Sequence, residues 1–124
     1  MNERVTQRVV LHIRDVYGCE GDQPWAKYPG NTVFRLSGSK KWFALLIRDL
    51  PEKALGLGGG GRRDILNLKC DTKLTGTLVD RARYFPGYHM NKEHWISVIL
   101  DEATDWEEVK SLIALSYDLS SGKK

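Results

Sequence analysis

The sequence predicts a single α+β domain on a mostly antiparallel sheet, with helices at its N-terminus, in its middle and at its C-terminus. Three observations predict this class. The chain has only 124 residues, its apolar residues switch between helical and strand spacing, and its segments do not alternate regularly between strand and helix. A chain of this length buries roughly two thirds of its surface, which is enough for one core. We expect residues 1–124 to form one domain, with residues 119–124 as a frayed tail.

The N-terminal part of the chain predicts a helix followed by a β-hairpin. Apolar residues of the first segment recur at spacings of four and three: Val5, Val9, Ile13 and Val16. This spacing predicts a helix over residues 2–17 with one buried face. Strands are predicted over residues 32–36 and 41–48, separated by a polar turn. The second strand is apolar on both alternating sets, so we expect it inside the sheet with both faces covered.

The middle of the chain predicts a loop, a strand and a short helix. Residues 51–61 end in four consecutive glycines, which are unfavourable inside helices and strands, so we expect a loop. Apolar and polar residues alternate over residues 64–70, which predicts a strand with one buried face. Asp71 stands where a helix N-cap belongs, and apolar residues at steps of four predict a helix over residues 72–83.

The C-terminal part predicts one more strand and a final helix. Residues 95–100 alternate between two faces and are rich in residues that favour strands. Asp105 and Glu108 have the spacing of a capping box, which predicts a helix that ends near Ser120.

Positive charge is concentrated in the middle of the chain, although the net charge is only +3. Residues 23–100 carry thirteen basic and six acidic residues, whereas residues 1–22 and 101–124 each carry more acidic than basic residues. This asymmetry is compatible with a polyanionic partner for the middle segment. It is equally compatible with acidic terminal helices that neutralise a basic sheet.

The sequence predicts neither a membrane protein nor a secreted one. The longest unbroken apolar run is residues 42–47, far shorter than the ~20 residues that cross a bilayer. The charged N-terminus lacks the apolar stretch of a signal peptide. We therefore expect a cytoplasmic protein in which Cys19 and Cys70 stay reduced.

Motifs of enzymes and cofactor-binding proteins are weak, and we predict no enzyme, no cofactor and no metal site. Residues 56–61 match the glycine pattern of dinucleotide-binding loops, but a strand follows where that motif requires a helix. Cys70, His89 and His94 lack the spacing of a zinc site. Cys70 also lies on the apolar side of its strand, which favours a buried, inert thiol over a nucleophile.

Polar and aromatic residues near the last strand are the remaining candidates for a functional surface. Strand parity directs four of them away from the main core: Asn67, Lys69, Trp95 and Ser97. The preceding segment adds Tyr88, His89, Asn91, Lys92 and His94. Cations beside planar rings suit a phosphate backbone with stacked or groove-exposed bases. The same residues also suit a tight turn that seals the sheet and binds no ligand.

The string from Phe85 through Val98 resembles the signature of the MmcQ/YjbR family of small bacterial proteins. Further matches occur in the expected order along nearly the whole chain: Tyr28-Pro29-Gly30-Asn31, Lys41-Trp42-Phe43-Ala44, Leu68-Lys69-Cys70-Asp71 and Ser116-Tyr117-Asp118-Leu119. The resemblance implies an α+β fold similar to frataxin or CyaY, also described as a double-wing DNA-binding arrangement. The glycine tract at residues 58–61 departs from the family pattern, and we assign that loop no role.

The leading hypothesis is a non-enzymatic monomer that binds double-stranded DNA through a basic sheet face and two hairpin wings. Phosphate contacts are assigned to Arg35, Lys40, Lys41, Lys69 and Lys92. Contacts to base edges or sugars are assigned to His89, Asn91 and His94, beside the rings of Tyr88 and Trp95. Neutralising about five phosphates predicts that log K falls with log salt at a slope of about −4 to −5.

A protein- or small-ligand-binding module with a pocket near residues 88–95 is the alternative hypothesis. Its ligand would stabilise the fold without any affinity for DNA. The DNA hypothesis requires that the basic side chains share one continuous face. It fails if carboxylates of residues 101–118 cover them.

Overall fold

The computed structural model describes residues 3–122 and contains a five-stranded antiparallel sheet with helices on one side. The elements in chain order are α1 (Glu3–Tyr17), β1 (Thr32–Arg35), β2 (Trp42–Pro51), a 3-10 helix (Glu52–Leu55), β3 (Arg62–Lys69), α2 (Thr72–Leu78), β4 (Tyr84–Pro86), β5 (Trp95–Leu100) and α3 (Trp106–Ser120). The order across the sheet is β1-β2-β3-β5-β4, and every neighbouring pair is antiparallel. The predicted α+β class is therefore confirmed. Within residues 3–122, no helix has the length and apolar character needed to cross a membrane.

One face of the sheet, here called the helix face, packs against α1 and α3 and forms the larger core. Strand residues such as Leu46, Leu66 and Val98 are almost fully buried there. The helices cover them with Val9, Ile13, Val109, Leu112 and Ile113. The predicted apolar stripe of α1 is confirmed at Val9 and Ile13, but the prediction is wrong for Val16, which is 59% exposed in the last turn of the helix. Asn2, the predicted first residue of α1, lies outside the described residues.

The opposite face, here called the loop face, is covered by connecting segments and the 3-10 helix. Its buried strand residues are Val33, Leu45, Ile47, Leu50, Ile65, Phe85 and Ile99. Trp25, Leu55 and Met90 pack over them from the connections. Because both faces are covered, Asn67 and Ser97 are fully buried. The prediction that the strand at residues 64–70 has only one buried face is therefore wrong.

A β-bulge near the start of β2 changes which side chains reach each face. Phe34 pairs with Ala44, whereas Arg35 pairs with Trp42, so Phe43 is an extra residue. Phe43 joins Ala44 in the helix-face core, and Trp42 packs on the loop face. Strict strand alternation would have placed Phe43 on the loop face and Trp42 on the helix face.

The connection between β3 and β5 also differs from the prediction. α2 ends at Leu78 rather than near residue 83. The carboxylate of Asp80 accepts hydrogen bonds from the backbone N–H groups of Ala82, Arg83 and Tyr84 at 2.9–3.0 Å. These bonds fix a turn that cannot continue the helix, and the turn leads into β4, an edge strand that the sequence analysis did not predict.

The predicted loop over residues 51–61 contains regular structure at its start. β2 extends to Pro51, and the 3-10 helix follows. The glycine tract then folds over the buried carboxylate of Glu52, and a Cβ atom on Gly59 would clash with that carboxylate. A side chain at residue 59 would therefore move the carboxylate of Glu52 away from Arg63, its ion-pair partner.

α3 matches its predicted boundaries. The Asp105 carboxylate accepts a hydrogen bond from the N–H of Glu108 at 3.2 Å, as an N-cap does. The Glu108 side chain accepts a hydrogen bond from the Tyr84 hydroxyl. Ser120 is buried, and its hydroxyl donates to the Trp42 carbonyl at 3.2 Å. The helix thus includes the first two residues of segment 119–124, and residues 123 and 124 lie outside the described residues.

Candidate nucleic-acid interface

The two hairpin turns lie at the same end of the sheet. Residues 37–40 connect β1 to β2, and residues 87–94 connect β4 to β5. Lys69 pairs with Trp95, so the C-terminal end of β3 lies between the two turns. We call this edge of the molecule the hairpin end. The turns are separated by three strand spacings in the sheet order, or roughly 14 Å.

Four lysines of the predicted site lie at the hairpin end: Lys40, Lys41, Lys69 and Lys92. Lys40 and Lys41 are exposed beside the first turn, and Lys69 is half-buried at the end of β3. Lys92 is on the second turn, where its Nζ atom donates to the Gly87 carbonyl at 2.5 Å. Among the residues that the structure describes, no carboxylate forms an ion pair with any of these lysines.

Arg35, the fifth predicted phosphate ligand, is engaged within the protein. Its guanidinium forms a two-pronged ion pair with Asp22, at 3.1 Å for Nε to Oδ1 and 3.3 Å for Nη2 to Oδ2. The same group lies 5.5 Å from the ring centroid of Trp42. Because Asp22 neutralises its charge, Arg35 contributes less to the field at the hairpin end than the four lysines do.

Two hydrogen bonds fix the second turn to the loop face, and a third joins the two strand residues that make them. The backbone N–H of Tyr88 donates to Ser97 Oγ at 2.8 Å, and Asn67 Nδ2 donates to the Tyr88 carbonyl at 3.0 Å. The Ser97 hydroxyl in turn donates to Asn67 Oδ1. Gly87 allows the turn to approach the sheet, because a Cβ atom there would lie 2.6 Å from the Cβ of Trp95. Asn67 and Ser97 therefore position the turn from within the core.

The aromatic residues of the predicted site do not lie exposed at the hairpin end. Trp95 is buried beneath the second turn, with only 8% of its surface exposed. Tyr88 is half-buried, and its ring lies 4.0 Å from the ring of His89, centroid to centroid. Tyr88 and His89 both line a cleft on the loop face. Base stacking at the hairpin end therefore receives no support from these rings.

Asn91 and His94 are exposed on the second turn, beside Lys92. The Oδ1 atom of Asn91 accepts a hydrogen bond from the Glu93 N–H at 2.9 Å, and its backbone carbonyl accepts one from the His94 N–H at 3.3 Å. These bonds hold the turn and leave the amide NH2 of Asn91 and the His94 ring facing outward. Both side chains thus lie beside Lys92 on the second turn.

Cys70 lies close to the hairpin end, but its thiol is buried. Burial raises the pKa of the Cys70 thiol above its ordinary value, which keeps the thiol protonated and weakly nucleophilic. The contact between Cys70 and His94 joins their main chains, with the Cys70 N–H donating to the His94 carbonyl at 2.7 Å. In the described part of the chain, no group of three or more His, Cys, Asp or Glu side chains has the arrangement of a metal site.

Two arginines of the middle segment, Arg63 and Arg83, are neutralised at the opposite end of the sheet. Arg63 forms ion pairs with Glu52 and Asp101, and Arg83 forms one with Asp101. The strand register places all of these residues away from the two hairpin turns. Asp101, the first carboxylate of the acidic C-terminal segment, thus neutralises arginines rather than the lysines of the hairpin end.

Comparison with known proteins identifies the family. The YjbR family model matches residues 14–119, a range that includes every candidate residue described above. This chain belongs to the YjbR family. The YjbR relatives include YyaQ of Bacillus subtilis (strain 168), which is 44% identical over 112 residues, or 90% of this chain and 94% of YyaQ. YbdF of Escherichia coli O157:H7 is 31% identical over 98 residues, or 77% of this chain and 68% of YbdF. Both of these YjbR relatives are described as uncharacterised.

Solved structures agree with the YjbR assignment. A crystal structure of a Pseudomonas syringae protein is 39% identical, has a TM-score of 0.87, and covers 92% of this chain and 97% of that one. A Deinococcus radiodurans protein with a DUF419 domain is 26% identical, with a TM-score of 0.65 and coverage of 89% and 76%. The fold and the family predicted from the sequence are confirmed.

Proposed function

We propose that this protein is a non-enzymatic, cytoplasmic module that binds double-stranded DNA as a monomer through the hairpin end. One observation supports the proposal above all: lysines on both hairpin turns and on the β3 end between them converge on one edge of the molecule. Their ammonium groups have no ion-pair partner among the described carboxylates. Phosphate contacts supply most of the affinity in non-specific DNA binding, and converging cations meet that requirement.

The spacing of the two turns favours a duplex over a single strand. Turns roughly 14 Å apart are comparable to a major groove about 12 Å wide, so each turn can reach the phosphates on one side of the groove. Single-strand binders use exposed aromatic rings as stacking platforms. Trp95 is buried, and Tyr88 faces the loop-face cleft, so the hairpin end lacks that platform.

The side chains available for reading bases are few. Asn91 and His94 are exposed beside Lys92, and His89 is also exposed but lines the cleft on the loop face. Phosphate contacts carry no sequence information by themselves. We therefore expect modest affinity, weak sequence preference and a strong dependence on salt.

The salt dependence of DNA binding tests this proposal. If the four lysines each neutralise one phosphate, log K falls with log salt at a slope of about −3.6. This slope is measured by fluorescence anisotropy of a labelled duplex at several salt concentrations. In the double variant Lys40→Gln/Lys41→Gln, two contacts are lost, and the slope becomes shallower by about 1.8.

The matched control removes the same charge elsewhere, in the double variant Lys53→Gln/Lys110→Gln. Lys53 lies in the 3-10 helix at the opposite end of the sheet, and Lys110 lies on α3. We expect this control to keep the slope of the unmodified protein. A flat salt response, an absence of binding at low salt, or an equal loss of slope in both double variants would refute the proposal.

A further inference from the structure

A cleft on the loop face forms a second candidate site, which borders the hairpin end at Tyr88, His89 and Met90 of the second turn. It has a volume of about 470 Å³ and lies over β2, between the segment that precedes β1 and the second hairpin turn. Four aromatic side chains line it: Trp25, Tyr28, Trp42 and Tyr88. Clefts of this size with mainly apolar walls and a few polar groups are typical of small-molecule sites.

The aromatic walls of the cleft are held in place while parts of their rings remain open to solvent. The indoles of Trp25 and Trp42 meet edge to face, with centroids 5.8 Å apart and ring planes at 80°. Tyr28 keeps 56% of its surface exposed at the rim. Aromatic rings offer flat surfaces to a planar ligand. Because side chains that are already packed lose few rotamers on binding, the entropic cost of ordering them is small.

A β-bulge brings Arg48 into the lining of the cleft. The register between β2 and β3 slips after Ile47, so Arg48 and Asp49 both lie opposite Asp64. Strand alternation from Leu46 would direct Arg48 to the helix face. The bulge instead places Arg48 among the residues that line the cleft.

Arg48 is available to an anionic ligand. It is half-buried, and among the described residues no carboxylate forms an ion pair with its guanidinium. Arg62 also lines the cleft, but it is paired with Asp49 at 3.0 Å. A half-buried guanidinium beside apolar walls is stabilised by a carboxylate, sulfonate or phosphate that accepts its hydrogen bonds.

Two non-glycine residues of the lining have left-handed backbone conformations: Asp49 at φ 59° and His89 at φ 62°. Asp49 is held there by a hydrogen bond from its N–H to Asp64 Oδ1 at 2.9 Å, and its carbonyl accepts one from Arg62 Nε at 3.1 Å. Strained positions of this kind cluster at ligand sites, where the surrounding structure maintains them. The bulge and the second turn thus contribute backbone of unusual conformation to the wall of this cleft.

We propose that this cleft binds a small planar aromatic anion. Its ring system lies between the tryptophan and tyrosine walls, and its anionic group binds the guanidinium of Arg48. The volume of the cleft restricts the ligand to a small molecule. This inference goes beyond DNA binding and does not depend on it, because the cleft and the hairpin end use different cationic residues.

A pair of fluorescent probes tests the proposal. Anilinonaphthalene sulfonate is an anion with a planar naphthalene ring system, and N-phenylnaphthylamine has the same rings without the sulfonate. We expect saturable one-to-one binding of the anionic probe to the native protein, with quenching of tryptophan fluorescence. Arg48→Gln weakens binding of the anionic probe by about tenfold or more but changes binding of the neutral probe less than about twofold.

Two further variants keep the test decisive. Tyr28→Ala removes an exposed wall and weakens the binding of both probes, even if Arg48→Gln proves unstable. Arg14→Gln removes the same charge from an exposed position on α1 and leaves both affinities unchanged.

The proposal is overturned if the native protein binds no anionic probe, if the two arginine variants lose equal affinity, or if Tyr28→Ala has no effect. Circular dichroism checks that each variant is folded, and the salt slope of DNA binding, measured separately, reports on the hairpin end alone.

Discussion

Asn67 shows how one buried side chain determines the position of the second hairpin turn. It lies on β3, fully buried, and bonds both the Tyr88 carbonyl and the Ser97 hydroxyl. We expect Asn67→Leu to leave those two groups unsatisfied and to lower the free energy of unfolding by about 2–3 kcal/mol. Urea denaturation measures this loss.

Gln23→Leu replaces an exposed amide and should change stability by less than about 0.5 kcal/mol. Equal stability of Asn67→Leu and the unmodified protein would contradict the role assigned to these hydrogen bonds.

Strand parity predicted the direction of these side chains but not their environment. Asn67, Ser97 and Trp95 all point away from the helix-face core, as alternation requires. Their burial depends on a turn that folds back over the sheet, and no local pattern reports that contact. Phe43 and Arg48 depart from parity because each lies at a β-bulge. Neither bulge contains a glycine that would have marked it in the sequence.

At the scale of elements, Asp80 ends α2 and starts β4. Hydrogen bonds from the backbone N–H groups of Arg83, Tyr84 and Ala82 lower the pKa of Asp80 from 3.8 to about 2. Because the folded state has the lower pKa, this carboxylate stabilises the fold fully above pH 3.8 and loses that effect as the pH falls through about 2. We expect Asp80→Asn to lower stability at neutral pH by about 1 kcal/mol.

The pH dependence of stability separates this effect from a general change in charge. Thermal unfolding at several acidic pH values should show a smaller loss of stability for Asp80→Asn than for the unmodified protein as the pH falls from 3.8 to about 2. Glu20→Gln, at another exposed carboxylate, should keep the original pH dependence. If both variants follow the same curve, Asp80 does not control the turn.

Elements with dense, regular periodicity were predictable from the sequence. α1, β5 and α3 repeat their apolar residues over several turns or a full alternation, and their observed bounds lie close to the predicted ones. β4 was missed because three residues carry too little pattern, and the strand exists only through pairing with β5. The end of α2 was misplaced because apolar spacing continues past Leu78, while the hydrogen bonds to Asp80 decide the backbone.

At the scale of the whole molecule, basic residues of the middle segment lie both at the hairpin end and at the opposite end of the sheet. The charge pattern along the sequence allowed either a polyanion-binding surface or neutralisation by the acidic segments. In the fold, lysines without an ion-pair partner among the described residues lie at the hairpin end, and two arginines are bound by Glu52 and Asp101 at the other end of the sheet. A linear count of charges cannot separate these regions, because strand order and register decide which residues meet.

At the end opposite the hairpin turns, Asp101 joins the segment after β5 to β3, to the turn before β4 and, through Arg63, to the 3-10 helix. Its carboxylate accepts hydrogen bonds from Arg63 at 3.0 Å and from Arg83 at 2.9 and 3.0 Å, and Arg63 also bonds Glu52 of the 3-10 helix.

Because Asp101 is buried, Asp101→Asn leaves two partly buried guanidinium groups without their shared counter-charge. We expect a loss of about 3 kcal/mol in the free energy of unfolding, measured by urea denaturation. Glu107→Gln breaks an exposed pair on α3 and should cost less than about 1 kcal/mol. Similar losses in the two variants would mean that Asp101 does not hold these elements together. The DNA-binding slope of folded Asp101→Asn should match the unmodified protein, because the lysines of the hairpin end are untouched.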